Sequence, residues 1–329
     1  MESRPTIYDV AKAAGVAAST VSRAFSRPGR VGAETAQRIF AAAESLGYRA
    51  SGLPGLVGSR TGTIALVVTD ITNPFYVEII RGAHEAAADA GYLILLSHTQ
   101  EDAQLERTWT ERGLPAVDGV VLASSRMSDS TIRMVAKQKP TIVLNRRLPE
   151  VPSVITDNAR GVRRAVEHLV GLGHDTITYL AGPETSWADG MRWQALREAG
   201  AELGVRVRRI GPGNTPTVAA GHQLAGEVLA HRPTAVLAYN DAMAIGVQKG
   251  LKRLGVRIPQ DTSVVGFDNI ILADLVEPAL TTVGAPLHTQ GAIGVKNLIA
   301  MVGGATPRRE PVVLPVQLVV RDSTGRRRR

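Results

Sequence analysis

From Thr63 onward, the sequence alternates short aliphatic runs with longer amphipathic segments. The runs TIALVV, GVVLAS and TIVLN are typical of buried strands, and FYVEIIRGAHEAAADAG and STIRMVAKQ carry apolar residues at helical spacing. A second such series extends from VPSVITD to SVVGFD. Strands that alternate with helices at this spacing predict βαβ units. We therefore expect an α/β body of two doubly wound parallel-sheet lobes, with a ligand bound between them at the carboxyl ends of the strands.

Length and residue usage narrow the class of protein. A chain of 329 residues exceeds the size at which a single core stops growing, which predicts two or three folded units. The chain has no cysteine, and this excludes disulfides, zinc knuckles and thiol nucleophiles. No apolar run reaches the roughly 20 residues that cross a bilayer, and the first residues, MESRPTIYDVAKAAG, lack the apolar stretch of a signal peptide. We expect a cytoplasmic protein without membrane contact.

Positive charge is concentrated at the two ends of the chain. The net charge is +8, residues 1–60 hold eight Lys/Arg against four acids, and the last four residues are all arginine. The rest of the chain is therefore neutral. A basic head on a neutral body predicts that the head contacts a polyanion, whereas the arginine tail is expected to be a solvated end.

The head has the spacing of three short helices. IYDVAKAA carries an apolar face and is stopped by Gly15, and STVSRAFS resumes the helix after a tight turn. Two short helices joined in this way form a helix-turn-helix. A third helix, AETAQRIFAAAESLGY, is expected to close the core with Ile39, Phe40, Ala43 and Leu46.

Sequence motifs in the head and in the body resemble those of one protein family. TIYDVAKAAGVAASTVSRAFS followed by LGYRA resembles the DNA-binding head of LacI/GalR transcription regulators, with matches at Val10, Ala11, Ala14, Gly15, Val16, Thr20, Val21, Ser22 and Arg23. The phrases DITNPFY, HLVGLGHDTITYLAGP, AYNDAMAIG, VVGFDN, PALTTV and LVVRDST then occur in family order. The resemblance implies a repressor with a periplasmic-binding-protein-like body, allosterically controlled by a small ligand, expected to be a sugar.

The resemblance also implies an organisation and partners. We expect a DNA-binding head over 1–50, a hinge over 51–61, an effector-binding and dimerisation body over 62–323 and a basic tail over 324–329. The first lobe is expected at about 62–169 and 284–309, and the second at about 170–283 and 310–323. A homodimer would match a palindromic operator in double-stranded DNA. The helix FYVEIIRGAHEAAADAG is the candidate dimer seam, through Tyr76, Ile79, Ile80 and Ala83.

The same resemblance places candidate DNA contacts. The second helix would lie in the major groove, with Ala18, Ser19 and Arg23 at base edges and Arg23 able to bind guanine. The expected phosphate-facing donors are Thr6, Tyr8, Thr20, Ser22, Ser26, Arg30 and Thr35. Leu53 or Leu56 of the hinge would enter the minor groove. Ala17 stands where the family has a capping serine, so Ser19 could shift the helix start by two residues.

Candidate ligand contacts come from strand ends in the body. Carboxylates, amides and arginines beside an aromatic face suit a polyhydroxylated ligand. The candidates are Asp70, Asn73, Phe75, Tyr76, Asn145, Arg146, Asp157, Trp187, Arg192, Asn240 and Asp268. For each of them a helix cap or an inter-lobe bond is the alternative. Ala285 stands where sugar-binding members often carry glutamine, so purines and other small metabolites remain alternatives to a sugar.

Enzyme classes find little support in the residues. His168 and His174 are six positions apart without a third metal ligand nearby, so we expect structural histidines and no metal site. GPGNTP lacks the lysine of a phosphate-binding loop, and no hydrolase-type serine is present. We expect no enzyme activity and no cofactor. The competing class, a sugar-binding transport component, is disfavoured by the basic helical head and the missing signal peptide.

Overall fold

The computed structural model describes residues 5–26, 31–46, 60–211, 213, 215–308 and 310–327; for Ser26 only the backbone is described. The chain divides into two compact units, Met1–Thr61 and Gly62–Arg329. Within the described ranges, no helix combines the length and apolar character needed to cross a membrane.

The head contains three helices around a small core. They are α1 (Ile7–Ala14), α2 (Ala18–Ser26) and α3 (Ala33–Ser45). Gly15 follows α1 with a φ of 65°, a left-handed conformation that glycine adopts without strain and that turns the chain toward α2. Val10, Val21 and Ile39, one from each helix, are fully buried. The predicted helical head is confirmed.

The start of α2 differs from the sequence prediction. The amides of Thr20 and Val21 donate to the carbonyl of Ala17 at 2.8 and 3.2 Å, so the helix begins at Ala18 and not at Ser19. Backbone hydrogen bonds alone are enough to start it there, without a side-chain cap at residue 17.

The core face of α3 is also narrower than predicted. Ile39 and Ala43 are buried, whereas Phe40 and Leu46 are 44% and 40% exposed. Phe40 lies about 100° further around the helix than Ile39, so it reaches only the rim of the core. There its ring contacts Phe25 edge-on, with ring centroids 5.1 Å apart.

The body consists of alternating strands and helices. The strands are β1 (Thr63–Val68), β2 (Leu93–His98), β3 (Gly119–Ala123), β4 (Thr141–Leu144), β5 (Ser153–Thr156), β6 (Thr176–Leu180), β7 (Arg206–Ile210), β8 (Ala235–Ala238), β9 (Ser263–Asp268), β10 (Thr281–Gly284), β11 (Val312–Leu314) and β12 (Gln317–Val319). The helices are α4 (Pro74–Asp89), α5 (Ala103–Gly113), α6 (Asp129–Gln138), α7 (Asn158–Gly171), α8 (Trp187–Leu203), α9 (Val218–Gln223), α10 (Ala225–Ala230), α11 (Asp241–Arg253), α12 (Leu272–Leu275) and α13 (Leu287–Val302), with a 3-10 turn at Leu114–Ala116.

The first lobe is built on a parallel sheet in the order β2-β1-β3-β4-β5-β11. Alternate residues of β1 enter two separate cores: Ile64 and Leu66 pack with α4 and α13, and Ala65 and Val67 pack with α6 and the 3-10 turn. Because helices cover both faces, β1 has no polar alternation and appears in the sequence as a continuous apolar run.

The second lobe repeats this arrangement in the order β7-β6-β8-β9-β10-β12. All neighbouring strands are parallel except β12, which runs antiparallel to β10. Its core is one large cluster with Tyr179 and Phe267 among the largest fully buried side chains. The predicted α/β body of two doubly wound lobes is confirmed.

The chain crosses between the lobes after β5, after β10 and after β11. These crossings differ from the expected lobe limits. The helix α7 packs against α8, β10 and β12, so the second lobe begins near residue 158 and not after residue 169. The strand β11 pairs with β5, so residues 312–314 belong to the first lobe. A local helical pattern does not reveal which sheet a helix covers.

The expected dimer seam on α4 is wrong for most of its residues. Tyr76, Ile79 and Ala83 are 2%, 0% and 0% exposed, because this face packs inside the first lobe. The partner there is α13, which approaches so closely that a Cβ on Gly291 would lie 2.0 Å from the carbonyl oxygen of Ile79. Only Ile80 of the expected seam is partly buried and not fully enclosed.

Candidate functional site

A cleft lies where the strands of both sheets end. Ser124 directly follows β3, Asn145 directly follows β4, and Asn240 lies two residues after β8. The space between the lining side chains, including the part open to solvent, is about 330 Å³. The lining residues are Asn73, Phe75, Tyr76, Glu101, Ser124, Arg126, Asn145, Ala188, Arg192, Pro216, Tyr239, Asn240 and Asp268.

Arg192 of α8 is fixed in the second-lobe wall of the cleft. Its Nε donates to Asn158 Oδ1 at 2.9 Å, and its Nη1 donates to the carbonyl of Tyr239. The guanidinium carbon lies 3.5 Å from the ring centroid of Phe267. These hydrogen bonds and the cation–π contact compensate for the hydration lost by a side chain that is only 7% exposed.

Asp268 ends β9 beside Arg192, with Oδ1 3.6 Å from Nη2. This distance is too long for a hydrogen bond, and Oδ1 has no other hydrogen-bond partner among the described residues. Burial raises the pKa of Asp268 well above its ordinary value; Arg192 lowers it and Asp241 raises it further. The backbone φ of 116° is also unfavourable for an L-residue. Such a strained and unsatisfied carboxylate is typical of a binding site.

Asp241 is another buried carboxylate that interacts electrostatically with Asp268, and each of its two oxygens accepts a hydrogen bond. Its Oδ1 accepts from Thr282 Oγ1 at 2.6 Å, and its Oδ2 accepts from the amide of Ile270 at 2.8 Å. The carboxylate packs against the backbone of Gly266, where an added Cβ would come within 2.1 Å of Oδ1. Burial raises the pKa of Asp241, although both hydrogen bonds lower it. Asp241 therefore holds the loop after β9 in place.

A directed hydrogen-bond chain forms the first-lobe wall. Arg126 Nε donates to Glu101 Oε2 at 2.6 Å, and Thr69 Oγ1 donates to Glu101 Oε1 at 2.7 Å. The Tyr76 hydroxyl lies 2.5 Å from Thr69 Oγ1 and therefore donates to it. Burial lowers the pKa of Arg126, but Tyr239 and Glu101 outweigh this effect and raise it above its ordinary value. The guanidinium therefore stays charged.

A second buried carboxylate supports the loop that carries Arg126. Glu106 Oε2 accepts from the Arg126 backbone amide at 2.8 Å. Burial raises the pKa of Glu106, and hydrogen bonds from Ser125 and Arg126 oppose this shift. Glu106 thus positions Arg126 from behind without lining the cleft.

The structure brings most of the predicted ligand contacts together. The predicted residues that line the cleft are Asn73, Phe75, Tyr76, Asn145, Arg192, Asn240 and Asp268. Sequence reasoning missed Glu101, Ser124, Arg126, Ala188, Pro216 and Tyr239. Several of these follow β2, β3 and β8 within three residues, so applying the strand-end rule to every strand would have found them.

Two predicted contacts point elsewhere. Arg146 donates to the carbonyls of Ser125 and Met127 at 3.0 and 2.7 Å and pairs with Asp129. Arg146 therefore braces the loop after β3, whereas the preceding residue, Asn145, lies at a bend with a φ of 56° and lines the cleft. Asp157 caps α7 through the amide of residue 160 at 3.0 Å.

Asp70 and Trp187 also do not line the cleft. Asp70 Oδ1 accepts from the amide and the hydroxyl of Thr72 at 2.9 and 2.7 Å, which closes a local turn. Trp187 begins α8 and packs against the second-lobe core, and its neighbour Ala188 lines the cleft in its place.

The candidate DNA contacts in the head fall into three groups. Ser19 and Arg23, four residues apart on α2, are exposed, and Tyr8 is 73% exposed. Half-buried positions are Ala18, Thr20, Ser22 and Thr35. Thr6 is exposed, but its hydroxyl donates to Asp9 Oδ2 at 2.6 Å and so caps α1. Outside the described residues lie Arg30, Leu53, Leu56 and the side chain of Ser26.

The two histidines that were considered as metal ligands hold the C-terminal segment. His168 Nε2 lies 2.9 Å from Thr324 Oγ1, and His174 Nε2 donates to the carbonyl of Gly325 at 3.0 Å. Arg327 pairs with Asp175 at 2.6 Å, so this part of the expected solvated tail is docked. Across the described ranges, no three His, Asp or Glu side chains are grouped to hold a metal.

Comparison with known proteins gives matches over both units. The model of the lacI family of bacterial regulatory proteins matches residues 6–51, and the model of a periplasmic binding protein-like domain matches residues 166–324. The HTH-type transcriptional regulator DegA of Bacillus subtilis (strain 168) is 34% identical over 332 residues, covering 98% of this chain and 98% of DegA.

Two solved structures show the same fold over nearly the whole chain. A complex of the transcriptional regulator CelR with cellobiose superposes with a TM-score of 0.73 at 30% identity, covering 97% of this chain and 100% of that one. The lac repressor dimer bound to operator and the anti-inducer ONPF gives a TM-score of 0.74 at 27% identity, covering 98% of this chain and 100% of that one.

Proposed function

The chain belongs to the lacI family of bacterial regulatory proteins, and we propose that it is a DNA-binding transcriptional repressor whose operator affinity is controlled by a sugar-like ligand in the cleft. The ligand-binding part of this proposal rests on one observation: Asp268 is a buried carboxylate whose Oδ1 has no hydrogen-bond partner among the described residues. A ligand hydroxyl would supply the missing donor. A role as a sugar-binding transport component is disfavoured because such a component would not need a DNA-binding helical head.

The DNA half of the proposal rests on α2. Ser19 and Arg23 are exposed on one helical face, where they can reach base edges in a major groove. Arg23 would bind the O6 and N7 of guanine, and the hydroxyls of the head would bind phosphates. The hinge, residues 51–61, would place Leu53 or Leu56 in the minor groove and kink the operator.

Control by ligand follows from the three crossings between the lobes. The cleft residues come from both lobes, so a ligand that bonds to Arg192 and Asp268 on one side and to Asn73 on the other stabilises a closed arrangement. A change in lobe angle would then alter the separation of two heads in a dimer. Ligand and operator affinities must be coupled reciprocally.

The proposed homodimer needs an exposed apolar surface. The edge strand β2 offers Leu93, Leu95 and Leu96, which are 73%, 41% and 42% exposed. A large apolar patch on a sheet edge is typical of an interface between subunits. The lac repressor, whose solved dimer is bound to operator, has the same fold. A two-fold dimer would match a palindromic operator.

One experiment tests both the DNA binding and the control by ligand. The purified full-length chain is used to select bound DNA from a random library, and binding to the selected site is measured with and without members of a sugar panel. We expect a palindromic site and a ligand-dependent change in affinity that Asp268→Ala abolishes. Absence of a selected site would contradict the DNA half. A ligand response that is unchanged in Asp268→Ala would contradict the cleft assignment.

A further inference from the structure

The first-lobe wall of the cleft contains a cation that the protein leaves only partly bonded. The Arg126 side chain is 3% exposed, and its Nε is held by Glu101. In the part of the chain that the structure describes, its Nη1 and Nη2 have no hydrogen-bond partner, and Arg126 lines the cleft. Four N–H donors of a planar guanidinium are therefore available to a ligand in the cleft. A ligand acceptor that replaces water there forms a charge-assisted hydrogen bond.

Asn73 adds another free donor to the first-lobe wall. Asn73 uses its Oδ1 to accept from the amide of Phe75 at 3.1 Å, which leaves its amide group to donate. Each oxygen of Glu101 already accepts one hydrogen bond, from Thr69 and from Arg126. The free guanidinium donors and the Asn73 amide therefore favour a ligand group that accepts hydrogen bonds at this wall.

The second-lobe wall offers an acceptor. Asp268 Oδ1 has no hydrogen-bond partner among the described residues, and an ionised carboxylate can only accept hydrogen bonds. Both polar atoms of the Asn240 side chain already form hydrogen bonds. Its Oδ1 accepts from the amide of Met243 at 2.9 Å, and its Nδ2 donates to the carbonyl of Pro216 at 3.1 Å. A ligand group that donates to Asp268 fits this side, and a sugar hydroxyl, which can also accept, suits the pair of Asp268 and Arg192.

We propose that the ligand is a small sugar acid, with its carboxylate bound by the Nη1 and Nη2 of Arg126 and its hydroxyls bound by Asp268. This inference rests on the proposed function and specifies its ligand class. A carboxylate matches the planar guanidinium fork with two parallel hydrogen bonds. A dianionic phosphate would be repelled by the neighbouring Glu101 more strongly than a carboxylate with a single negative charge.

The test compares neutral sugars with their acids on the full-length protein. Calorimetry measures glucose, galactose and ribose against glucuronate, gluconate, galacturonate and ribonate, with glucose 6-phosphate as a further arm. We expect at least one acid to bind about tenfold or more tightly than its parent sugar, the difference that charge-assisted hydrogen bonds supply. A parent sugar that binds as tightly as its acids, preference for the sugar phosphate, or binding of no acid would overturn the proposal.

A charge-balanced variant assigns the preference to Arg126. Arg126→Met combined with Glu101→Gln removes the fork, preserves neutrality and keeps an acceptor for Thr69. We expect it to lower the ratio of the affinity for the acid to the affinity for the parent sugar about tenfold or more. The matched control is Arg147→Met, an exposed arginine outside the cleft lining, which should change neither affinity. If the double variant does not fold, the wild-type panel still decides the ligand class.

The outcomes also separate this inference from the proposed function. A neutral sugar that binds in an Asp268-dependent way and changes operator affinity would support the regulator and overturn the sugar acid. Acid binding without any effect on operator DNA would support the ligand class and contradict the proposed control of DNA binding.

Discussion

Arg192 and Asp268 face each other at 3.6 Å in the second-lobe wall, both nearly buried, yet they form no hydrogen bond with each other. Arg192 is hydrogen-bonded to other partners through Nε and Nη1, whereas Asp268 Oδ1 has no partner among the described residues. The pair therefore leaves an unsatisfied carboxyl oxygen on a residue that lines the cleft, which a ligand hydroxyl would complete.

Replacing the Asp268 carboxylate should stabilise the free protein at neutral pH. Burial raises its folded pKa above the unfolded value, so its ionisation opposes folding as the pH rises and has no effect below the unfolded pKa. We expect Asp268→Asn to add about 1–3 kcal/mol at pH 8, the cost of an unsatisfied buried group, and less at pH 4–5. Urea unfolding at both pH values measures this. An equal gain in unfolding free energy at both pH values would contradict this prediction. The control is Asp89→Asn, at an exposed residue.

Arg23 should contribute to both affinity and sequence preference. If it binds guanine, Arg23→Ala costs about 1–3 kcal/mol of discrimination and relaxes specificity at one base pair. Titrations of selected and mutated operator sites over a range of salt concentrations measure this. Arg81→Ala, an exposed arginine on α4 of the body that pairs with Glu78, removes the same charge and should leave specificity unchanged. Equal losses from both substitutions would contradict a base contact.

The crossing of α4 and α13 should tolerate no side chain. Gly291→Ala would place a Cβ 2.0 Å from the Ile79 carbonyl, which forces the helices apart and should cost about 1–3 kcal/mol or more. Gly190→Ala on α8 meets no atom within 4 Å and should instead stabilise by about 0.5–1 kcal/mol, because alanine favours a helix. Thermal unfolding of the two variants should shift in opposite directions, and shifts of the same sign would contradict the packing described.

The apolar edge of β2 should hold the proposed dimer together. Leu93→Glu introduces a charge on a side chain that is 73% exposed in the single chain, and burial of that charge in an interface is costly. We expect a monomer by sedimentation and operator affinity reduced at least about tenfold. Met134→Glu, at an apolar residue on α6 that is 48% exposed, should stay dimeric. A dimeric Leu93→Glu would exclude this edge.

The hinge should respond to helix propensity. The stretch SGLPGLVGSR has three glycines, which raise the entropy lost when DNA orders it. Gly52→Ala with Gly55→Ala should gain up to about 1–2 kcal/mol of operator affinity and reduce the response to ligand. Binding assays with and without ligand measure both effects, and no change in either would favour a plain linker.

The order and type of most helices and strands could be predicted from local sequence patterns. The apolar periods of β1 and α4 are local, because a strand buried on both faces and an amphipathic helix each carry their pattern within about ten to sixteen residues. The turn at Gly15 and the strand-end positions of Asn145 and Asp268 were predictable for the same reason, since they depend on neighbours in the chain.

Which of these residues meet depends on tertiary packing. Asn145 and Arg146 are adjacent, yet Asn145 lines the cleft and Arg146 donates to the carbonyl of Met127 in the loop after β3. The pairing of Arg126 with Glu101 joins residues 25 positions apart, and α7 covers the second sheet although it directly follows a strand of the first. Contacts between distant segments depend on how the sheets are packed, and no local period records that.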